Sequence, residues 1–331
     1  MLQIFKSNQI LAAVLFLLYL GLFYGATLLS VEYPVPTATP GVFAQLIYDA
    51  ARDWPIIWLR VSAMVLVFLQ ATLLVFTVNE NRINNDSNLL AGVFYCLFAS
   101  MIPQFMYPSP ALLANTFLLI ALVELMGVYK IPVASGRLFN VGFWISVASL
   151  FYFSSLGMIV FALWGASILR AYNIRELVTI FIGAITPYFL AGTVFFLLDR
   201  FPEFMDLQFA RNMTFWDFQG VQNSISYVEA GLFALLIVVV LLGSSGFFQK
   251  RIMQVQKKIS LLYGFLVFSC IISLFQANAD ISHLLLACIP LAVFFSMSFS
   301  VMATQWAEVV HLLMLVSGMA LAYSPWLLRG L

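Results

Sequence analysis

Residues 138–169 form an uncharged run, LFNVGFWISVASLFYFSSLGMIVFALWGASIL, with Arg137 directly before it and Arg170 directly after it. A helix needs about 20 apolar residues to cross the hydrocarbon core of a membrane. The run of 32 residues is therefore long for one crossing and short for two. One crossing would separate the two arginines, and two crossings would return them to the same side, so this run decides the topology of the whole chain.

The composition indicates that most of this chain is solvated by lipid. Of its 331 residues, 63% are hydrophobic and 9% are charged, whereas soluble domains carry about 25% charged residues. A soluble protein this apolar would aggregate, and the surplus of apolar residues is typical of a multi-pass membrane protein. The net charge of +1 provides no basic surface for nucleic acid, so we predict no nucleic-acid partner.

Residues that commonly bind metals or act in soluble enzymes are sparse. The three cysteines (Cys96, Cys270, Cys288) lie in apolar runs without a CxxC spacing, and two histidines are too few for a histidine-rich site. We predict buried cysteines and no metal site, and the sequence leaves any cofactor unknown. Motifs of P-loop, dinucleotide-binding, HExxH and GxSxG enzymes are also absent from the sequence.

Long apolar runs predict an all-α bundle that forms one integral membrane domain over residues 1–331. The first run, residues 9–30, has no small-residue cleavage motif after it, so we interpret it as a membrane helix and not as a signal peptide. The other predicted spans, besides the run described above, are residues 55–78, 88–106, 109–129, 177–199, 226–248, 259–276, 284–300 and 308–326.

Lysine and arginine counts in the short loops favour two crossings by residues 138–169. With two crossings and a cytoplasmic N-terminus, ten basic loop residues lie inside and three outside; with one crossing the counts are six and seven. Cytoplasmic loops carry an excess of Lys and Arg, so we predict a hairpin that turns near Ser154, Ser155 and Gly157. The protein then has about 11 membrane helices in a bacterial inner membrane, with the C-terminus outside.

The two arms of this hairpin are too short to cross the membrane fully. Short or broken helices place backbone and polar groups at membrane depth, where they are tolerated only against protein or a water-filled cavity. We therefore predict a cavity that opens from the outer side and is lined by Tyr152, Ser154, Ser155, Glu229, Asp280 and His283.

Two outer loops, residues 31–54 and 199–225, are large enough to carry a site. We predict a short amphipathic helix at the membrane interface in each loop, over residues 41–53 in the first. In the second loop, a helical projection places Glu203, Asp206 and Asp217 along one edge.

Arg60 lies near the outer end of the second predicted span. A charged residue in a span is costly and is by default a functional candidate. Its guanidinium can hold a lipid phosphate bidentately, and Arg52, Arg200 and Arg211 in the outer loops are further candidates for phosphate or lipid binding. Alternatively, Arg60 reaches the interface along its apolar stem or pairs with Glu229 or Asp53.

One resemblance concerns the family. The segments VNENRINNDSNLLAGVFYCLFASMIP, NTFLLIALVELMGVYK and GRLFNVGFWISVASLFYFSS resemble an uncharacterised family of polytopic inner-membrane proteins of Bacteroidota. Some of its members carry a carotene-oxygenase label. The residues here do not support that label, because they include no set of histidines that could hold an iron ion.

A looser resemblance is to the GT-C superfamily of glycosyltransferases, which use polyprenyl-phosphate sugars. It rests on the outer first loop, the proline hairpin MIPQFMYPSP, the segment GFWISVASLFYF and the segment GAITPYFLAG. The resemblance implies a catalytic base in the first outer loop. The segment TATPG holds no acid at the usual place, so the candidates are Glu32, Asp49 and Asp53, with Arg60 holding the phosphate leaving group.

The sequence leaves three classes of function open, and with them whether the protein is an enzyme. The first class is a GT-C-like glycosyltransferase that moves a sugar from a polyprenyl-phosphate donor at the outer leaflet. The second is a non-enzymatic scaffold or assembly subunit in cell-envelope biogenesis, and the third is a transporter or flippase. The partners implied are membrane lipid, a polyprenyl-phosphate lipid and a membrane protein. Glu124, also within a span, pairs with a loop arginine, reaches the interface along its apolar stem, or serves proton-coupled transport.

Overall fold

The computed structural model describes residues 10–29, 39–170, 173–213, 224–243, 251–273 and 281–323. All regular structure in these ranges is helical. The thirteen α-helices are α1 Ile10–Leu29, α2 Val42–Ala50, α3 Ile56–Glu80, α4 Leu90–Phe98, α5 Pro110–Met126, α6 Ser135–Phe151, α7 Met158–Leu169, α8 Ile174–Leu197, α9 Phe201–Met205, α10 Ser224–Leu242, α11 Met253–Ser273, α12 Leu285–Val301 and α13 Thr304–Ala322. Three 3₁₀ turns, Pro103–Met106, Phe153–Gly157 and Ile281–Leu284, and one π-helical turn, Asp206–Ala210, connect them.

Five of the described helices are long and apolar enough to cross a membrane, which supports a membrane protein with an all-α bundle. They are Ile56–Glu80, Ile174–Leu197, Met253–Ile272, Ile281–Val301 and Thr304–Ala322, and shorter apolar helices accompany them. The figure of 11 membrane helices stays a prediction. One predicted span, residues 88–106, is shorter than expected, because α4 ends at Phe98 and a 3₁₀ turn begins at Pro103, which has no N–H for a continuing helix.

The uncharged run forms the predicted hairpin. α6 ends where Tyr152 adopts an extended backbone, and a 3₁₀ turn leads into α7. At the far end of α7 the guanidinium of Arg170 donates hydrogen bonds to the carbonyl oxygens of Ile131 and Pro132, just before α6 begins. Arg137 and Arg170 therefore lie at the same end of the bundle.

Basic residues gather at this end, here called the basic end, which holds Arg82, Lys130, Arg137, Arg170, Arg175, Lys257 and Lys258. Lys258 Nζ, in α11, lies 2.6 Å from Asn81 Oδ1 at the end of α3. Lys130 and Lys257 both lie over the ring of Tyr129. By the distribution of basic residues, we expect the basic end to face the cytoplasm.

Glu124 is also held at the basic end. Its carboxylate lies 3.9 Å from the guanidinium of Arg137 and accepts a 3.4 Å hydrogen bond from Asn140. Glu124 therefore pairs with an arginine, as one of the alternatives predicts, but Arg137 lies in the first turn of α6 and not in a loop.

Two glycines bring α6 and α8 into backbone contact. A Cβ atom on Gly142 would overlap the carbonyl oxygen of Ile180, and one on Gly183 would overlap that of Phe139. Ser146 Oγ donates a 2.5 Å hydrogen bond to Ala184 O in the same interface. Small residues let membrane helices approach this closely, so the α6–α8 pair forms a rigid unit that carries the opposite end of the bundle.

Replacing Gly183 by alanine should separate this pair. The new methyl group meets backbone, which cannot rotate away, so we expect a loss of about 1–3 kcal/mol in the free energy of unfolding despite the better helix propensity of alanine. The control is Gly231→Ala, because a Cβ there meets nothing within 4 Å. Thermal unfolding in detergent measures both variants, and equal melting temperatures would contradict the close packing.

Candidate functional site at the capped end

The end of the bundle opposite the basic end is covered by α2 and by residues 201–210, and is here called the capped end. α2 begins where Gly41 N–H donates a 2.9 Å hydrogen bond to Phe151 O, the last residue of α6. A Cβ at Gly41 would overlap Leu150 O, so only glycine lets the chain approach this closely. Phe43 then packs edge-on against Phe151. The first predicted interfacial segment, residues 41–53, thus contains a helix seated on α6.

A single buried glutamine joins α2 to the second outer segment. Gln208 Oε1 accepts a 3.1 Å hydrogen bond from Val42 N–H, and its Nε2 donates to Ser149 O at 2.8 Å and to Tyr188 Oη at 3.1 Å. Val42 N–H is one of the N-terminal helix donors that have no intrahelical partner. We call Gln208 and these three partners the Gln208 junction. It connects α2, α6, α8 and the π-helical turn.

Further hydrogen bonds extend the Gln208 junction on both sides. Ser149 Oγ lies 2.8 Å from Tyr188 Oη and donates to Ser146 O, which links the ends of α6 and α8. Thr39 Oγ1 donates a 2.8 Å bond to Asn212 Oδ1, which connects the segment before α2 to the segment after the π-helical turn. The two outer segments of the chain are therefore joined to each other by hydrogen bonds.

An apolar groove opens between α2 and α3. The α2–α3 groove has a volume of about 850 Å³, and its walls include Ile47, Tyr48, Ala51, Trp58, Ser62, Val65, Pro108 and Leu113. Tyr48 Oη closes one wall by donating a 2.7 Å hydrogen bond to Pro108 O. Lining residues of α3 extend from Trp58 to Leu66, which spans about 12 Å along the helix axis.

Three charged residues lie at or next to the turn that joins α2 to α3, here called the mouth of the α2–α3 groove. Asp49, Arg52 and Asp53 are interleaved in sequence with the lining residues Tyr48, Ala51 and Trp54, and all three charged side chains are exposed. Asp49 accepts a 2.9 Å hydrogen bond from Gln45. Among the described residues no ion-pair partner lies next to Arg52. Arg52 and Asp53 thus lie in the segment that joins the two helices of the groove, whereas Asp49 lies on the face of α2 opposite to the lining residues.

A second apolar groove lies along α8. The α7–α8 groove has a volume of about 660 Å³ and is lined by Leu156 and Ile159, by α8 residues from Phe181 to Phe196, and by Phe201, Phe204 and Phe209. The aromatic rings of α9 and the π-helical turn close it at the capped end. No polar group of the Gln208 junction lines it except Tyr188.

The other outer arginines are engaged in ion pairs. Arg200 binds Glu203 with two contacts of 2.6 Å, and Arg211 binds Asp206 at 2.8 Å. Because Arg200 donates hydrogen bonds to it, the pKa of Glu203 is lowered; the pKa of Arg200 is raised by Glu203 first and further by the charge of Asp49. These pairs are exposed, so they add little stability.

Arg60 is buried inside the bundle, with 2% of its surface exposed. Burial raises the pKa of Tyr107, and the positive charge of Arg60 partly offsets that rise, which places the guanidinium near the loop before α5. A phosphate held by Arg60 would therefore have to enter the protein interior.

The residues predicted to line an outer cavity are packed together at the capped end. Tyr152 and His283 are buried and stack with ring centroids 5.3 Å apart. Ser155 Oγ donates to Tyr152 O at 2.8 Å, Glu229 is buried, and Ser154 is half-buried in the same 3₁₀ turn. None of them lines either groove, so the cavity stays a prediction. Glu32, Asp217 and Asp280 lie outside the described residues.

Sequence reasoning did not single out the Gln208 junction. Its signal was one glutamine in the aromatic segment FMDLQFA, which a helical projection places among apolar residues. It also missed a buried network in which Tyr95 Oη donates to Gln70 Oε1 at 2.5 Å and Gln70 Nε2 donates to Leu112 O at 2.8 Å. Within the described ranges no cluster of three His, Cys, Asp or Glu residues is placed to hold a metal ion.

Replacing Gln208 by alanine should release α2. The change leaves Val42 N–H and Ser149 O without the amide that they bond, while Tyr188 Oη keeps Ser149 Oγ, so we expect a loss of about 1–3 kcal/mol in the free energy of unfolding. Trypsin cleavage after Arg52 should also become faster in the folded protein. Gln45→Ala is the control, because among the described residues the side chain of Gln45 bonds to exposed Asp49 alone. Equal cleavage rates in both variants would contradict the junction.

Comparison with known proteins identifies one family. The model described as "Family of unknown function (DUF6427)" matches residues 41–325. This agrees with the predicted resemblance to an uncharacterised family, while the assignment to Bacteroidota and the GT-C resemblance stay predictions. No curated protein and no solved structure matches the chain.

Proposed function

The chain belongs to this family of unknown function, and we propose that it is a GT-C-like glycosyltransferase that takes a sugar from a polyprenyl-phosphate carrier at the outer leaflet. The observation that carries the proposal is the α2–α3 groove, an apolar channel with two carboxylates and a guanidinium at its mouth. An apolar tail and a charged head are the two parts of a polyprenyl-phosphate donor.

The dimensions of the groove support this donor. Ligand pockets have volumes of about 300–1,000 Å³ and are lined mostly by apolar side chains, and the α2–α3 groove falls in this range at about 850 Å³. Trp58, Val65 and Leu113 offer an apolar wall to isoprene units. The groove follows α3, one of the candidate membrane spans, so a lipid tail enters it from the bilayer.

The residues at the mouth supply the chemistry of transfer. Asp53, or Asp49 on the outer face of α2, accepts the proton of the acceptor hydroxyl as the hydroxyl oxygen forms the new bond to the anomeric carbon. The bond between that carbon and the phosphate oxygen breaks, and polyprenyl phosphate leaves with the electron pair. Arg52 faces the negative charge that develops on this phosphate. Both groups are exposed and therefore accessible to substrates.

We assign the phosphate to Arg52 and not to Arg60. Arg60 follows the groove-lining residue Leu59, but its own side chain is buried, whereas Arg52 is exposed. The buried charge of Arg60 contributes a positive potential behind the wall of the groove. This assignment moves the leaving-group site to the surface, where product can depart.

The position of Glu124 argues against proton-coupled transport. Its carboxylate lies next to Arg137 at the basic end, away from the grooves. Acidic residues inside spans can carry protons, but Glu124, although it lies within α5, is held in an ion pair with Arg137. The glycosyltransferase proposal uses carboxylates at the other end of the bundle.

Native mass spectrometry of the protein purified in mild detergent tests the donor site. Ser62→Phe fills the α2–α3 groove, and we expect it to lower the amount of bound polyprenyl phosphate by at least about tenfold. The matched control is Leu69→Phe, on the exposed apolar surface of α3 outside the groove. Equal lipid content in both variants would overturn the donor site. A stoichiometric protein partner without bound lipid would point to a scaffold.

The head of the donor is tested separately from its tail. Arg52→Gln should reduce the preference for polyprenyl phosphate over uncharged polyprenol, because the guanidinium that faces the phosphate is lost. Arg175→Gln, at an exposed arginine of the basic end, is the control. Competition between the two lipids in detergent measures the preference. An unchanged preference in the Arg52 variant would remove this residue from the site.

A further inference from the structure

Two lysines at the basic end meet at one aromatic ring. Lys130 Nζ lies 5.5 Å from the centroid of the Tyr129 ring, and Lys257 Nζ lies 5.6 Å from the same centroid. The two ammonium nitrogens are therefore at most about 11 Å apart. Tyr129 and Lys130 belong to the turn after α5, whereas Lys257 belongs to α11. We call these three residues the Tyr129 cluster. It brings two like charges together from distant parts of the chain.

The lysines of the Tyr129 cluster lack a partner of opposite charge. Side-chain oxygen atoms bind three other cations of the basic end, which are Arg137, Arg170 and Lys258. Among the described residues no carboxylate forms an ion pair with Lys130 or Lys257. The tyrosine ring attracts each ammonium group, but the two positive charges still repel each other. An anion bound between the two ammonium groups would offset that repulsion.

The backbone of Lys130 is held in a costly conformation. Its φ of 58° lies in the left-handed region, where a Cβ atom is disfavoured and glycine is the usual residue. Backbone outliers of this kind persist where the surrounding structure holds them, and they are concentrated at functional sites. A lysine at a position that suits glycine indicates that its side chain is used.

The Tyr129 cluster lies where a membrane span begins. The candidate span Met253–Ile272 includes Lys257 in its second turn. Met253 is four residues earlier on the same face of α11, and Val133 follows Lys130 by three residues; both expose most of their surface. Ammonium groups beside exposed apolar side chains match the boundary between the head groups and the acyl chains of a bilayer. This position favours a lipid over a soluble ligand.

We propose that the Tyr129 cluster binds the phosphate of an anionic phospholipid of the phosphatidylglycerol class, in the leaflet that the basic end faces. Lysine ammonium groups are strong donors to phosphate oxygens, and their flexible stems let both converge on one phosphate. The acyl chains lie against Met253 and Val133. Basic pockets between membrane helices bind phospholipid head groups in this manner. The bound lipid joins the turn after α5 to α11, and the site does not depend on the proposed function.

Native mass spectrometry of the full chain, with equal amounts of phosphatidylglycerol and phosphatidylcholine, tests the site. We expect Lys130→Gly and Lys257→Gln each to lower the preference for bound phosphatidylglycerol about fivefold. The control is Arg175→Gln, which removes an exposed positive charge from the same end but outside the Tyr129 cluster, and it should leave the preference unchanged. Photoactivatable phosphatidylglycerol should label residues 127–134 and 251–258 of the unmodified chain.

Thermal unfolding separates binding from folding. Without added lipid, Lys130→Gly should melt no lower than the unmodified protein, because glycine relieves the left-handed backbone. Added phosphatidylglycerol should raise the melting temperature of the unmodified protein by mass action, and raise that of the Lys130 variant less.

Three outcomes would overturn the inference. An equal loss of preference in the Lys130, Lys257 and Arg175 variants, or no loss in any of them, would show that the Tyr129 cluster is not a distinct site. Labelling confined to other segments would place the lipid elsewhere. Displacement of phosphatidylglycerol by an equal concentration of inorganic phosphate would assign the site to a soluble anion.

Discussion

The hydrogen bond from Val42 N–H to the side chain of Gln208 is the contact on which the capped end depends. It satisfies an N-terminal donor of α2 with a side chain from a segment 166 residues further along the chain. The other contacts of α2 with α6 are the Gly41 hydrogen bond, the Phe43–Phe151 ring pair and the apolar packing of Val42 with Leu150. Because α2 is a wall of the α2–α3 groove, the amide of Gln208 helps to fix the position of that wall and of the turn that follows it.

The irregular elements of the chain are concentrated at this end. The π-helical turn brings Gln208 inward, and the 3₁₀ turn after Tyr152 ends α6 early enough for Gly41 to reach its last carbonyl oxygens. Turns of the π type are frequently found at functional sites. The regular α6–α8 pair beneath them, joined through glycines, provides the rigid base. The capped end thus combines a fixed support with short segments shaped around apolar channels.

Charge and apolar length made the bundle predictable from the sequence. Arg137 and Arg170 mark the two ends of the α6–α7 hairpin. Glu124 pairs with Arg137 at this end of the bundle. The grooves could not be predicted in this way, because Trp58 or Phe189 in a wall has the same sequence signal as a residue that faces lipid. Gln208 was missed because a π-helical turn changes the face that a projection assigns to it.

A cryo-EM map of the protein in nanodiscs made from its own membrane lipids tests the central claim most directly. The account predicts elongated density in the α2–α3 groove along Trp58 and Val65, with a head at Asp49, Arg52 and Asp53. The account would be contradicted if the same map showed lipid density elsewhere, but α2 packed directly against α3 with no channel between the two helices.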